Sequence, residues 1–430
     1  MDTRSPYLII GNSAAAVGGV AGIRNVDTER PITLVSKEPH HTYSRPLISY
    51  LLGGEVDESR MPYRPPDFYE KNNIRSLLGV EVIHVDSDAR VVTTTDGRDL
   101  AFEKLLIATG GKPILPDDVS GKDIPGVFTF TTWEDARSIQ GYIKEHSVER
   151  VVVVGGGLIG LKSVEALIAL GLRVTVVELT DRILGATFDD VASDMAKMSL
   201  QNKGVQVCCG TTVSAIKKRK GRVSGVTLGD GPLMPCDMVI FAIGVTPNTR
   251  VIAETPIETD RGILVDETMQ TSVEGIYAAG DVAQAADLLS SGKRPIPILP
   301  LAYRQGFVAG SNMAGEVRTY EGGLAMNAID ICGLPTVSVG MANAEGDLYE
   351  TLSSREEDEP KYKKIVIRDG RIVGAVFVGD VDRAGIITGL IKSKVDVASF
   401  KHLLLTEKFG LICLPKEYRK HVVSGRGVVM

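Results

Sequence analysis

Cysteine is scarce in this sequence. Its five cysteines, Cys208, Cys209, Cys236, Cys332 and Cys413, are odd in number and form no Cys-x-x-Cys. A disulfide framework is therefore not expected, and a reducing compartment suits the chain. Long apolar runs are also missing: no stretch approaches the roughly 20 residues a membrane helix needs. The six histidines show no metal-ligand spacing, so no metal site is expected. Neither charge sign dominates. The formal net charge of −6 argues against a broad nucleic-acid surface. Met1–Pro6 carries no charged-then-apolar leader and runs straight into the strand-like Tyr7-Leu8-Ile9-Ile10, so the cytoplasm is the expected location. What remains is a globular composition, 43% apolar and 24% charged, over 430 residues, enough for two or three domains.

The main organisational feature is a repeat. Tyr7–Ile10 is an apolar run, Gly11-Asn12-Ser13-Ala14-Ala15-Ala16 a small-residue turn, Val17–Arg24 a helix-like stretch, and Ile32–Val35 a second apolar run. The same order recurs 144 residues on, from Gly11 to Gly155. Val151–Val154 leads into Gly155-Gly156-Gly157-Leu158-Ile159-Gly160, then a helix to Leu170 with Gly171 suited to its cap, then Val174–Val177 and Glu178. Apolar strands alternating with helices indicate parallel sheets covered on both faces. Arg90–Thr95 and Lys104–Thr109 read as strands, and Gln206–Thr211, Val213–Ile216 and Val223–Leu228 as a meander. Residues 326–430 change character. Lys364–Ile367 and Ile372–Val378 flank the turn Asp369-Gly370, and helix-like stretches follow from Arg383, as in a separate α+β domain.

Each repeat has the parts a dinucleotide needs. A tight glycine turn lets backbone N–H groups approach a pyrophosphate, the following helix N-terminus favours its charge, and an acid about 20 residues on accepts ribose hydroxyls. The second copy has all of them: Gly155, Gly157 and Gly160 at the fingerprint positions, Leu158 and Ile159 between them, and Glu178 closing the next strand. A carboxylate there suits a free 2′-hydroxyl, so NADH is expected over NADPH, with Arg173 and Arg182 nearby as the opposing consideration. The first copy keeps Gly11 and Ala16, places Ser13 where the central glycine would be, and offers Glu38 as ribose ligand. The serine adds a small side chain where the backbone must meet the phosphate, and a hydroxyl that can donate to it.

Further segments resemble the FAD-dependent pyridine nucleotide–disulfide oxidoreductase superfamily. Leu106-Ile107-Ala108-Thr109-Gly110 is similar to its first crossing between domains, Phe241–Asn248 to its second, and Gly275–Val282 to its second FAD fingerprint. Pro39–Leu47, Pro300–Gly306 and Tyr362–Val378 resemble segments of its NADH-dependent rubredoxin, ferredoxin and nitrite reductase flavoproteins and NADH oxidases. The resemblance implies an α/β fold of two interleaved Rossmann-like domains and a C-terminal α+β domain. FAD would be held by 1–113 and 246–325 and NAD by 114–245, while 326–430 would serve assembly or dimerisation. It implies FAD contacts from Gly11, Ser13, Ala14, Ala15, Ala16, Glu38, Arg45, Pro46, Val82, Ala108, Thr109, Gly110, Gly280, Asp281, Pro300, Leu301 and Ala302, and further cofactor contacts from Ile243 and Gly244. Asp281 would hold the ribityl chain, and Arg45 and Pro46 would wall the isoalloxazine.

The departures from that pattern narrow the chemistry. No cysteine precedes Cys208, so neither the dithiol of the disulfide reductases nor the single cysteine near Tyr43–Leu52 of the coenzyme A-linked members is present. Where relatives carry a lysine beside the flavin this chain has Tyr50, and where they carry a glutamate after the NAD fingerprint it has Lys162, with Glu165 one turn on. Arg45, Tyr50 and Lys162 are thus the candidate catalytic residues. The expected activity is hydride transfer between NAD(H) and FAD, with electrons exchanged with a small iron–sulfur or rubredoxin-like protein. The chain would act as a homodimer or as a subunit of an assembly. Direct oxygen reduction, as in an NADH oxidase, and a non-catalytic NAD-sensing subunit are the alternatives. Lys217–Arg222 reads as a solvated hairpin tip, Glu356–Glu359 as an acidic loop, Cys208-Cys209 as a strand pair facing opposite ways, and Cys332 as packed within the C-terminal domain.

Overall fold

The structure, a computed structural model, describes residues 4–356 and 358–415. Residues 1–177 and 211–324 group as one compact unit, and 178–210 with 325–430 as another.

Strands with no apolar–polar alternation must be buried on both faces, and the first unit is built on such strands. β1 (Ser5–Ile10) is followed by α1 (Ala14–Val26), then β2 (Ile32–Ser36), every residue of which is buried. The short helices α2 (Ile48–Gly53) and α3 (Phe68–Lys71) precede β3 (Ile74–Leu78), β4 (Val82–Asp86), β5 (Val91–Thr94) and β6 (Asp99–Ile107). The sheet runs β3-β2-β1-β6-β5-β4, with Ile276–Ala278 also on β6. The long β6 serves two neighbourhoods. Its start pairs antiparallel with β5, and its end pairs parallel with β1 and with Ile276–Ala278. Helix Leu299–Met313 lies directly against α1. Cβ atoms at Gly18 or Gly22 would collide with carbonyls of Tyr303 and Phe307, and Cβ atoms at Gly306 or Gly310 with carbonyls of Ala15 and Gly19. The glycine spacing on both helices lets their backbones touch.

The second repeat makes a second parallel sheet. β7 (Gly111–Pro113) leaves the first sheet, β8 (Val127–Thr129) enters the second, and α4 (Trp133–His146) follows, fixed by a Thr132–Asp135 capping box. Then come β9 (Arg150–Val154), α5 (Leu158–Ala169) and β10 (Arg173–Glu178). Parallel strands stand in the order β10, β9, Met238–Phe241, β8. Val213–Arg219, Arg222–Leu228 and Leu233–Met234 form a separate antiparallel sheet. Gln206–Cys209, expected to join that meander, lies outside it. The basic run is the hairpin tip anticipated from sequence, turning at Lys220 and Gly221, both at positive φ.

In the second unit five antiparallel strands run Met326–Ile331, Leu334–Gly340, Arg371–Val378, Tyr362–Arg368, Glu350–Arg355. The Asp369-Gly370 hairpin is where the sequence placed it, and the helix following it is Ala384–Lys392. Cys332 does not pack inside. It occupies the turn between the first two strands, at φ 52° and half-buried. The acidic stretch lies between the strands Glu350–Arg355 and Tyr362–Arg368, with Glu357 outside the described residues. Residues 178–210, read from sequence as part of the NAD domain, belong to this unit through side-chain ties. The Tyr362 hydroxyl donates to Asp189 at 2.7 Å, Lys364 pairs with the same carboxylate at 3.1 Å, and Ser199 donates to the Ile331 carbonyl at 2.9 Å. The final stretch, Phe409–Met430, rich in Lys, Arg and Gly, falls mostly beyond residue 415, outside the described residues.

Candidate functional site

The two glycine turns are built alike in detail. Gly11 donates its N–H to Val35 O at 2.8 Å, and Gly155 donates to Val177 O at 2.8 Å. Gly11 has φ 121° and Gly155 φ 111°, a region L side chains rarely enter. A Cβ on Gly11 would collide with the carbonyl oxygen of Ala108, and one on Gly155 with that of Ala242. Ala108 in turn donates to Ile10 O and Ala242 to Val154 O, each at 2.8 Å. In both repeats, then, the strand leaving the sheet presses its carbonyl onto the first glycine. The two departing segments also join each other. β7 pairs antiparallel with Val245–Pro247, Asn248 donates to Gly110 O at 2.9 Å, and the Thr109 hydroxyl donates to Asn248 O at 2.7 Å. Ile243 and Gly244 lie on this crossing, Ile243 partly exposed.

Both following helices begin without a side-chain cap. Ser13 precedes α1 and Gly157 precedes α5, each in extended conformation, and neither makes a cap bond. The first-turn N–H groups are left pointing at the turn, as anion binding requires. At Gly157 an added Cβ meets nothing among the described residues within 4 Å. Protein packing therefore does not demand the central glycine, and the space it leaves suits a close ligand. Ala14, Ala15 and Ala16 form the buried first turn of α1, while Leu158 and Ile159 start α5 half-buried.

The loop after β2 is tied to the first turn by residues the sequence reading missed. Asn12 donates to His40 O at 3.1 Å and accepts from the Tyr69 hydroxyl at 3.0 Å, and Tyr69 accepts from the Thr42 N–H at 3.0 Å. No motif marks Asn12 or Tyr69, because their pairing spans 57 residues. Glu38 carries an ion pair with Arg45 and accepts from the buried Tyr43 hydroxyl at 2.5 Å. A carboxylate has about four lone-pair sites, so ribose hydroxyls still find acceptors there. Burial pulls the Arg45 guanidinium down, but Tyr43, Glu38 and Asp281 hold it above its ordinary value. Arg45 also donates to Thr131 O at 2.9 Å and opens a short turn with Pro46. Trp133 stacks on His40 at 4.5 Å between ring centroids.

Three buried polar atoms around this loop find no partner among the described residues: His41 Nε2, Thr42 Oγ1 and Trp133 Nε1. Buried orphans are costly and rare in native proteins, and a polyhydroxylated, phosphorylated ligand is the kind of group that satisfies them. Together with the uncapped α1 they fit FAD. On the far side, Gly280 donates to the Gln305 side chain at 2.8 Å, a second contact with no sequence signal. Asp281 follows, its carboxyl pushed up by burial against the opposing charge of Arg45. Pro300, Leu301 and Ala302 lie in the first turn of the helix Leu299–Met313. Val82 opens β4 and is buried.

Tyr50 on α2 and Lys162 on α5 meet. Lys162 Nζ lies 5.9 Å from the Tyr50 ring centroid and 2.6 Å from Glu165. In the second unit, Glu178 at the end of β10 accepts from the Thr180 N–H at 2.9 Å.

The pyridine nucleotide-disulphide oxidoreductase family matches residues 5–306. The chain belongs to that family. Residues 326–395 match the rubredoxin NAD+ reductase C-terminal domain. The chain is 32% identical to the epsilon subunit of the NADH-dependent phenylglyoxylate dehydrogenase of Aromatoleum evansii, over 92% of this chain and 93% of that one. It is 31% identical to the NAD(P)H nitrite reductase of Bacillus subtilis over 92% of this chain but 48% of that protein, so it spans about half of that relative's length. Among solved structures, the covalent putidaredoxin reductase–putidaredoxin complex is similar, with a TM-score of 0.82 and 26% identity, covering 91% of this chain and 93% of that one. The family, the Rossmann-type α/β architecture and an NAD(P)H-dependent flavin oxidoreductase activity, all expected from sequence, are thereby shown. Among the described residues no helix is long and apolar enough to cross a membrane.

Proposed function

We propose that this member of the family takes reducing equivalents from NADH and exchanges them, through FAD, with a small iron–sulfur or rubredoxin-like protein. The observation that carries the reading is the duplicated clamp: two glycine turns, each pressed by the carbonyl of a departing strand, with the two departing segments hydrogen-bonded together. FAD would be held by 1–113 with 246–325 and NAD by 114–245. Bound FAD supplies hydride acceptance and the later release of electrons singly or in pairs. The protein's share is alignment. Gly11, Ser13 and the first turn of α1 receive one pyrophosphate, and Gly155, Gly157 and the first turn of α5 the other. Glu38 and Glu178 take the ribose hydroxyls, and Asp281 the ribityl chain. Arg45, anchored by Glu38 and Thr131, would supply a fixed cation at the flavin. Glu178, repelling a 2′-phosphate, favours NADH over NADPH. The partner is supported by the rubredoxin reductase-type C-terminal match and by the likeness to the putidaredoxin complex.

Anaerobic stopped-flow tests this reading. NADH should bleach the flavin rapidly. An oxidised rubredoxin or ferredoxin should then restore the colour faster than air-saturated buffer does. Fast reoxidation by oxygen alone would turn the assignment to an oxidase, and an unbleached flavin to a non-catalytic subunit. In the same apparatus Lys162→Met should slow bleaching by about tenfold, equivalent to about 1.4 kcal/mol of barrier. Lys162→Met with Glu165→Gln separates the two causes. If the loss stems only from an unpaired carboxylate, the double variant recovers the wild-type rate.

A further inference from the structure

The carboxylate of Glu178 does not act alone in the segment that follows β10. Thr180 holds it by two donors, the backbone N–H at 2.9 Å and the hydroxyl at 2.8 Å, and the Thr180 carbonyl is itself fixed by Gly210 N at 2.7 Å. Two residues further on stands Arg182, the one cation in the sequence between residues 174 and 196. An arginine just past the ribose-reading acid is the group that ordinarily accommodates a 2′-phosphate. Here that arginine is engaged elsewhere. Its Nη1 lies 2.7 Å from Asp190 and 3.6 Å from Asp181. Its Nε is buried without a partner among the described residues, which indicates that the guanidinium is drawn to these carboxylates rather than arranged to fork around a phosphate.

We infer that Asp190, backed by Asp181, is a specificity residue: it holds Arg182 in an ion pair and keeps negative charge beside the adenosine ribose, so that a 2′-phosphate finds this guanidinium already engaged. The inference rests on Glu178 reading the ribose, as proposed above, and adds a second determinant of cofactor choice. A purely structural role for Asp190 is separable. The helix Asp190–Asn202 is already capped by Asp189, which accepts from Ala192 N at 3.1 Å, and Asp189 is also the residue held by Tyr362 and Lys364. Asp190→Asn therefore keeps the cap and loses only a favourable first-turn charge, worth about 0.3–1 kcal/mol.

The test uses the FAD-loaded full-length protein and two fragments that carry no nicotinamide, ADP-ribose and 2′-phospho-ADP-ribose, titrated calorimetrically so that no turnover is involved. Asp190→Asn should shift the ratio of the two dissociation constants by about five- to tenfold toward the phosphorylated fragment, the size expected when an arginine gains a phosphate partner near the surface. Adding Arg182→Met should erase that shift. An unchanged ratio in Asp190→Asn, or a shift that survives Arg182→Met, overturns the inference. Glu178→Gln distinguishes the deeper failure. If it weakens ADP-ribose while Asp190→Asn does nothing, only the Asp190 role falls. If it affects neither fragment, the ribose assignment falls with it.

Discussion

Asp281→Asn is expected to yield protein that loses its flavin on desalting and yet, as apoprotein, melts at a higher temperature than wild type at neutral pH. The two effects share one cause. Asp281 is pushed above its ordinary value of 3.8 by burial, with Arg45 opposing the shift only in part. A carboxyl raised in the folded state binds its proton more tightly there than in the unfolded chain. Its contribution is fully present below 3.8 and is lost as pH rises through the folded value. At neutral pH the charged, desolvated carboxylate therefore strains the empty protein, and an amide relieves it. On the proposed assignment flavin binding would reverse the balance, with ribityl hydroxyls donating to the charged acceptor. Exchanging an ionised for a neutral acceptor costs on the order of 1–2 kcal/mol, a tenfold or greater loss of affinity. Flavin-to-protein absorbance after desalting reads the first effect, and calorimetric melting of both apoproteins between pH 4 and 8 reads the second. The melting curves should converge toward the acid end. If Asp281→Asn keeps a full complement of flavin, Asp281 does not hold the cofactor.

The repeat, its strands and the fingerprint glycines were legible because each is local: an apolar run, a small-residue turn and a helix occupy about 30 residues, and period and spacing report them directly. The clamp that makes the turns work was not. It pairs Gly11 with Ala108 and Gly155 with Ala242, residues that become neighbours only once the sheets close. The family likeness marked Ala108 for its place in a crossing segment, but nothing in the sequence says that its carbonyl locks Gly11. The same limit hid Asn12 and Tyr69, whose side chains fix the loop after β2, and Gln305, whose amide receives Gly280 N–H. It also misplaced Gln206–Cys209. A short apolar stretch before two true hairpin strands reads as a third, because β-propensity carries no information on partner choice. Cys332 misled for a similar reason. It follows an apolar strand, but only the backbone shows that it is the left-handed corner of a hairpin.

Gly157 and Gly160 should both lose NADH binding on substitution by alanine but differ in stability, and the contrast tests the second nucleotide site more sharply than either alone. At Gly160 the new Cβ would be driven into the backbone carbonyl of Gly155, which no side-chain rotation can move aside. Overpacking of that kind costs about 1–3 kcal/mol and shifts the turn itself. Gly160→Ala should therefore lower the unfolding temperature and abolish flavin bleaching by NADH, while flavin content stays intact because the first repeat is untouched. At Gly157 a Cβ meets nothing among the described residues within 4 Å. The folded chain should accept it at a cost of about 1 kcal/mol or less, the usual difference at a helix N-cap. The methyl group would then occupy the space left for a pyrophosphate. Gly157→Ala should keep its flavin and nearly its wild-type melting temperature, yet require at least tenfold more NADH for half-maximal bleaching. Ala16, which stands in the first repeat where Gly160 stands in the second, already carries its Cβ, so the steric demand at this position belongs to the second turn alone. A Gly157→Ala protein that bleaches at the wild-type NADH concentration would place the nicotinamide dinucleotide somewhere other than this turn, however closely the turn resembles its flavin-side counterpart.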